Sequence, residues 1–227
     1  SFRAGIKPGD RILMADNDTI HGPLWGQGEV IQKLRGPKNS KVRLQIKRAN
    51  TDSLLAFEVI RSEVPIKSVD AFFMMSPSLG YIKVNRFAES TFLEFEKGIE
   101  SLLSKGAINL VLDLRDNPGG FLQIAEQIAD EFLEAGKLIL FTKNKSDQVI
   151  ESYTTQKGRF ENAEVYVLIN ENSASASEII AGALQDNDKG TIIGRRSFGK
   201  GLVQREMGLG DGSAIRLTTA RYYTPTG

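Results

Sequence analysis

The sequence lacks cysteine, contains a single histidine, His21, and has no apolar run near the roughly 18 residues of a membrane-spanning helix. The missing cysteine excludes thiol nucleophiles, disulfides and cysteine-ligated metals, and it is compatible with an oxidising compartment of the cell envelope. A charge excess is missing too: 29 basic against 28 acidic residues give a net charge of +1, which does not support a nucleic-acid partner. With 227 residues, 41% of them hydrophobic, the chain can form one large or two small domains.

The segment NSASASEI, at residues 172–179, combines small hydroxyl side chains with a predicted strand-to-helix turn. An apolar run at 165–169 precedes it, and apolar residues at helical spacing follow. Such a turn exposes a side chain beside free backbone N–H groups, which favours Ser175 as a nucleophile. The structural alternative is a helix cap at Asn172 or Ser173, with Glu178 in the first turns.

A serine nucleophile needs a base, and this composition leaves lysine as the candidate. Lys200 lies in the segment SFGKGLVQ, between two glycines and ahead of apolar residues. If 200–205 is a strand, Lys200, Leu202 and Gln204 share one face, and Gln204 can orient the amine as the third member of a triad. Only a neutral lysine accepts a proton, and apolar surroundings favour that form.

Together the two segments resemble a known family. NSASASEI, followed by FGKGLVQ with Lys200 at 25 positions after Ser175, resembles the C-terminal processing peptidases, also called tail-specific proteases. The resemblance implies a catalytic triad of Ser175, Lys200 and Gln204. It implies neither a cofactor nor a metal ion.

The segment DLRDNPGG, at residues 113–120, leaves a strand and turns through Asn-Pro-Gly-Gly. By the resemblance it supplies half of an oxyanion hole, from the N–H of Gly119 or Gly120, and the N–H of Ala176 supplies the other half. For the charged residues of this segment we expect structural ion pairs instead of catalytic roles; they are Asp113, Arg115 and Asp116. The run from Gly194 to Lys200 begins like a phosphate-binding loop, but Gly201 stands where Ser or Thr is needed, so nucleotide binding is not expected.

Residues 1–64 are predicted to form a small β-rich module with one short helix. Alternating apolar residues at 41–48 indicate a half-buried strand. The order of elements resembles a PDZ domain, which implies binding of C-terminal peptide tails by strand addition. The module is expected to be incomplete at its N-terminus, and an alternative is a small module that only packs on the rest of the protein.

Residues 65–227 are predicted to form an α/β peptidase core, truncated at its C-terminus, because strands and amphipathic helices alternate from residue 79 onward. The resemblance implies a crotonase-like sheet. The apolar cluster Phe72, Phe73, Met74 and Met75 is expected in the core.

The predicted function is a serine endopeptidase that acts near the C-termini of unfolded or tagged proteins in the periplasm or on the extracytoplasmic side of a membrane. Its expected partners are protein or peptide substrates; membrane association through segments outside this sequence stays open. The alternatives are a non-catalytic peptide- or ligand-binding protein on the same fold, and an acyl-CoA enzyme, which the Ser–Lys pair does not suit.

Overall fold

The protein is described from a computed structural model, which covers residues 4–22, 25–63, 66–155 and 157–227. It divides into two compact units, one ending at Ile66 and one spanning Lys67–Gly227. The predicted boundary between residues 64 and 65 lies outside the described residues. No helix in the described ranges is both long and apolar enough to span a bilayer.

The first unit is an antiparallel sheet with one helix. Its four strands are β1 (Arg11–Ala15), β2 (Asp18–Thr19), β3 (Lys41–Lys47) and β4 (Leu55–Ile60), in the order β2-β1-β3-β4, and α1 spans Gln27–Leu34. The alternation predicted for β3 is confirmed, since Val42, Leu44 and Ile46 are buried and their neighbours are more exposed. These three side chains anchor the small apolar core of the unit.

The second unit contains a five-stranded, mostly parallel sheet with three helices packed against it. The strand order is β11-β10-β7-β6-β5, and only β5 is antiparallel to its neighbour. The elements are β5 (Val69–Met74), β6 (Leu79–Val84), α2 (Thr91–Ser104), β7 (Asn109–Asp113), α3 (Leu122–Asp130), β10 (Val165–Ile169), α4 (Ala176–Asp186) and β11 (Gly190–Gly194). Parallel strands connected by helices establish the predicted mixed α/β class.

A second, antiparallel sheet completes this unit. Its strands are β8 (Leu138–Asn144), β9 (Val149–Tyr153), β12 (Leu202–Gly208) and β13 (Ala214–Tyr223), in the order β12-β13-β8-β9. Strand β12 therefore lies at an edge of its sheet and is hydrogen-bonded to β13 alone. A register shift between Val203 and Gln204 interrupts that pairing close to the candidate site.

The core of the second unit lies between the five-stranded sheet and the helices. Fully buried side chains include Ile82, Leu112, Phe95, Ile128 and Ile180, which come from both layers. In the sequence, apolar residues at helical spacing predict a helix over residues 121–136 that ends at Gly136, but α3 ends earlier, at Asp130. The helix ends there because the side-chain carboxylates of Asp130 and Glu131 accept hydrogen bonds from Thr155 and Arg159 instead of facing another helical turn.

The prediction that residues 72–75 belong to the core is wrong for three of them. Phe72, Phe73 and Met75 are 40%, 48% and 56% exposed, and only Met74 packs against the core. Strand β5 is the edge strand of its sheet, so part of its apolar side has no neighbouring strand to cover it. Phe73 instead stacks on Tyr81, with ring centroids 4.8 Å apart.

Candidate active site

Ser175 lies at the N-cap of α4, after the loop that leaves the end of β10. Its φ angle is +55°, a left-handed conformation that is uncommon for a residue with a side chain. Such strained conformations persist where the surroundings enforce them, and they concentrate at functional sites. The cap therefore falls on Ser175 itself, and the alternative cap at Asn172 or Ser173 is wrong.

Serine and asparagine side chains in the loop between β10 and α4 bind the segment 113–120. Asp116 Oδ1 accepts hydrogen bonds from the side-chain amides of Asn170 and Asn172, both at 2.8 Å. Ser173 Oγ donates to the carbonyl of Leu114 at 2.8 Å. The two loops that enclose the site are therefore joined by side chains whose roles are structural.

Asn117 links the two loops through both its side chain and its main chain, and this role was not predicted from the sequence. It is fully buried, its side-chain amide donates to Val84 O at 2.9 Å, and its Oδ1 accepts from Gly119 N at 2.9 Å. Its carbonyl accepts from Ala174 N at 3.0 Å and Ser177 Oγ at 2.9 Å. A single asparagine in a glycine-rich turn carries no sequence signal that separates it from an ordinary turn residue.

All six predicted site residues line one cleft of about 660 Å³. They are Ser175, Lys200, Gln204, Gly119, Gly120 and Ala176. The walls come from the start of α3, the start of α4 and strand β12. The structure thus brings together side chains and glycines that lie up to 85 positions apart in the sequence.

Lys200 reaches the cleft from a loop, and the prediction that it belongs to a strand is wrong, because β12 begins only at Leu202. Gln204 lies on β12 and is exposed. Across the described residues, no hydrogen bond joins the Gln204 side chain to the amine of Lys200. Among the described residues the Ser175 hydroxyl makes no hydrogen bond to Lys200 Nζ either, so the cleft contains the three predicted triad members without hydrogen bonds between their side chains.

Glu178 connects the two segments that carry Ser175 and Lys200. Its Oε2 accepts from the backbone N–H of Ser175 at 2.8 Å and of Lys200 at 2.9 Å. Its Oε1 accepts from Gly199 N at 2.6 Å and from Ser197 Oγ at 2.7 Å. The spacing Ser-x-x-Glu is the sequence signature of a capping box, which was the available signal for this residue.

If the cleft carries out the peptide cleavage predicted from the sequence, replacing Glu178 by Gln should lower its kcat by about a hundredfold, because an amide presents one acceptor oxygen to four donors and the Lys200 loop shifts. The control is Glu134→Gln, which removes only an exposed ion pair with Lys137. The measurement is steady-state kinetics on a short peptide. A Glu178→Gln variant within threefold of the wild-type kcat would show that the contact is dispensable.

Two backbone N–H groups are available in the cleft, those of Gly120 and Ala176, whereas the N–H of Gly119 is not. Gly119 has φ of +99°, and a Cβ there would lie 2.7 Å from Ala174 O and 3.0 Å from Ala176 N, so only glycine fits. Its own N–H is bonded to Asn117. Gly120 N has no protein acceptor in the described parts of the chain, and Ala176 N belongs to the unpaired first turn of α4.

Asp113 lies at the end of β7 and is 1% exposed. Arg115 binds it through both side-chain nitrogens Nε and Nη2, Tyr81 donates at 2.7 Å, and Lys83 lies 3.3 Å away. Burial opposes ionisation, but the hydrogen bonds from Arg115 and Tyr81 outweigh it and lower the pKa of Asp113 to about 2. These contacts match the ion pair expected from the sequence.

Asp113→Asn should destabilise the protein by about 2 kcal/mol at neutral pH, because Tyr81, Arg115 and Lys83 lose a charged acceptor, while the half-exposed Arg115 side chain is still solvated. The lowered pKa means that this carboxylate contributes stability above about pH 4, which is lost as the pH falls towards 2. Urea unfolding at several pH values measures both effects. The control Asp147→Asn, at an exposed pair with Lys143, should cost under about 1 kcal/mol, and equal losses would contradict a special role for Asp113.

Within the described ranges, no group of three or more His, Asp or Glu side chains is arranged to hold a metal ion.

Comparison with known proteins identifies the family. Residues 78–227 match the model of peptidase family S41. A carboxy-terminal-processing protease of Bartonella bacilliformis is 38% identical over 229 residues, covering 99% of this chain and 52% of that protein. Carboxy-terminal processing protease CtpB of Bacillus subtilis is 36% identical, covering 99% of this chain and 47% of that protein.

Among solved structures, the photosystem II D1 C-terminal processing protease is similar with a TM-score of 0.65 and 28% identity, covering 100% of this chain and 61% of that one. The chain spans about half the length of the curated relatives it matches. Because the family model covers well over half of the sequence, including every candidate site residue, the chain belongs to peptidase family S41.

Proposed function

We propose that this chain carries the catalytic centre of a serine endopeptidase that cleaves near the C-termini of unfolded or tagged proteins. The observation that carries the proposal is the position of Ser175, in a strained turn at a helix N-terminus, in one cleft with Lys200 and with two free backbone N–H groups. The names of the relatives, carboxy-terminal processing proteases, support the substrate class.

In the proposed reaction, Ser175 Oγ attacks the carbonyl carbon of the scissile peptide bond while neutral Lys200 takes the hydroxyl proton. The tetrahedral intermediate collapses to an ester on Ser175, and the protonated lysine gives its proton to the leaving amine. A water molecule, deprotonated by Lys200, then attacks the ester, and the protonated lysine returns its proton to Ser175 Oγ as the acyl group leaves. The released carboxylic acid loses its proton to the solvent, which gives the carboxylate product and regenerates the neutral lysine.

The intermediate carries a negative oxygen, which the N–H groups of Gly120 and Ala176 can stabilise. We assign Gly120 in preference to Gly119, because the Gly119 amide already donates to Asn117. Each such donor is worth about 3 kcal/mol in the transition state. Gln204 would orient the Lys200 amine once its exposed side chain turns inward on substrate binding.

The cleft suits an extended peptide. Strand β12 lies at the edge of its sheet and forms one wall, so its unpaired side can bond to the main chain of a substrate. We further propose that the first unit, an antiparallel sheet with one helix, is PDZ-like and holds C-terminal tails, and that the second unit is a crotonase-like peptidase core. An extracytoplasmic site of action belongs to the same proposal.

A fluorophosphonate reagent tests the catalytic assignment. It should form a covalent adduct on Ser175 of the folded wild-type chain, detected by mass spectrometry of proteolytic peptides, while the other serines stay unlabelled. Cleavage of an unfolded protein with an unstructured C-terminal tail should occur in the same preparation. A folded chain with neither labelling nor cleavage would instead be a non-catalytic binding protein.

A further inference from the structure

The end of β13 and the residues that follow it run alongside α4 and contact it at both ends and in the middle. At the far end, Thr226 donates from both its backbone N–H and its Oγ1 to Asp186 Oδ2, at 2.9 and 2.7 Å. In the middle, a Cβ added at Gly182 would lie 2.3 Å from Thr224 Cγ2, so the segment and the helix touch directly. At the near end, Tyr222 reaches the N-terminus of α4, where Ser175 lies.

The Tyr222 hydroxyl contacts the main chain of both candidate catalytic residues. It donates to the carbonyl oxygen of Lys200 and lies 3.4 Å from the carbonyl oxygen of Ser175. The Tyr222 backbone N–H donates to Gly201 O at 3.1 Å, which fixes the same loop at a second point. Glu178 holds the N–H groups of Ser175 and Lys200 from the other side.

From these contacts we propose that Tyr222 is a positioning residue, which sets the separation of Ser175 and Lys200 by donating to the Lys200 carbonyl while its oxygen lies beside the Ser175 carbonyl. The proposal rests on the proposed peptidase function. The Lys200 loop joins β11 to β12, and the strained φ of Ser175 needs support from several directions. A carboxylate that accepts from the amides and a phenol that contacts the carbonyls restrain the two peptide groups that flank each residue.

The protonation state of Tyr222 suits this role. Burial, and then the negative charge of Glu178, raise its pKa above the usual value near 10. A phenol that keeps its proton remains a hydrogen-bond donor over the whole working pH range of an enzyme. Its acceptors are main-chain carbonyls, so it acts on the geometry of the site and takes no part in proton transfer.

Tyr222→Phe tests the proposal, because it removes the hydroxyl and keeps the ring packing. The matched control is Tyr223→Phe on the next residue, whose ring stacks on Phe141 at a centroid distance of 5.0 Å. We expect Tyr222→Phe to lower kcat about ten- to a hundredfold on a short peptide with KM unchanged, since a shift of about 1 Å in a reacting group costs that much. Tyr223→Phe should retain the wild-type kcat and KM.

Amide hydrogen exchange provides a readout that does not depend on activity. In Tyr222→Phe the amides of Gly199 and Lys200 should exchange faster, at least tenfold, while the amides of the five-stranded sheet keep their protection. Unchanged exchange at these amides, or a kcat within twofold of wild type, would overturn the proposal. A wild-type chain that neither cleaves nor labels at Ser175 would overturn the peptidase function instead, and the exchange result would still decide whether Tyr222 restrains the loop.

Discussion

Ser175→Ala should abolish peptide cleavage and fluorophosphonate labelling and leave the protein folded. The variant loses only Oγ, and the backbone N–H of residue 175 still donates to Glu178, so the turn and the helix start keep their main contact. Removing the nucleophile of a serine protease typically lowers kcat by about 10⁶-fold, because the remaining groups cannot form the covalent intermediate.

The measurement is the initial rate of cleavage at equal concentrations of folded protein, with the unfolding temperature followed by circular dichroism. Ser104→Ala, at an exposed position at the end of α2, is the matched control and should retain full activity. Cleavage by Ser175→Ala at more than about a hundredth of the wild-type rate would exclude Ser175 as the nucleophile.

The sequence was most informative where periodicity and turn residues act locally. The alternation at residues 41–48 is such a local pattern, and β3 occurs as predicted from it. The apolar pattern of α2 likewise places Phe95, Ile99 and Leu102 in the core. Local patterns do not specify which side of an element remains uncovered, and for that reason residues 72–75 of the edge strand were wrongly assigned to the core.

The candidate site was predictable as a set of residues, because two short segments at a fixed spacing carry its hydroxyl and amine. The supporting contacts were not, since they depend on tertiary packing. Glu178 binds a loop about 20 residues away, Asn117 joins two turns, and Tyr222 approaches from the last strand. Only the fold brings the polar atoms of Glu178 and Tyr222 to the main chain of Ser175 and Lys200, and those of Asn117 to the neighbouring Ala174 and Ser177.

Lys200→Arg should be as inactive as Lys200→Ala, with kcat/KM reduced by at least about a thousandfold, although arginine keeps the positive charge. Guanidinium does not lose its proton in a protein, so it cannot accept one from Ser175. Because Lys200→Arg keeps the positive charge, it distinguishes a Lys200 that accepts a proton from a Lys200 that only supplies a charge. The control is Lys97→Arg, at an exposed position on α2, which should leave the kinetics unchanged.

The pH dependence gives the second half of this test. Because only an unprotonated group can take the proton of a serine hydroxyl, kcat/KM should rise with pH, and the rising limb reports the base in the free enzyme. The one histidine of the sequence, His21, is exposed and belongs to the first unit, so His21→Ala should leave the rising limb at the same pH. An active Lys200→Arg variant, or a limb that moves when His21 is replaced, would show that another group deprotonates Ser175.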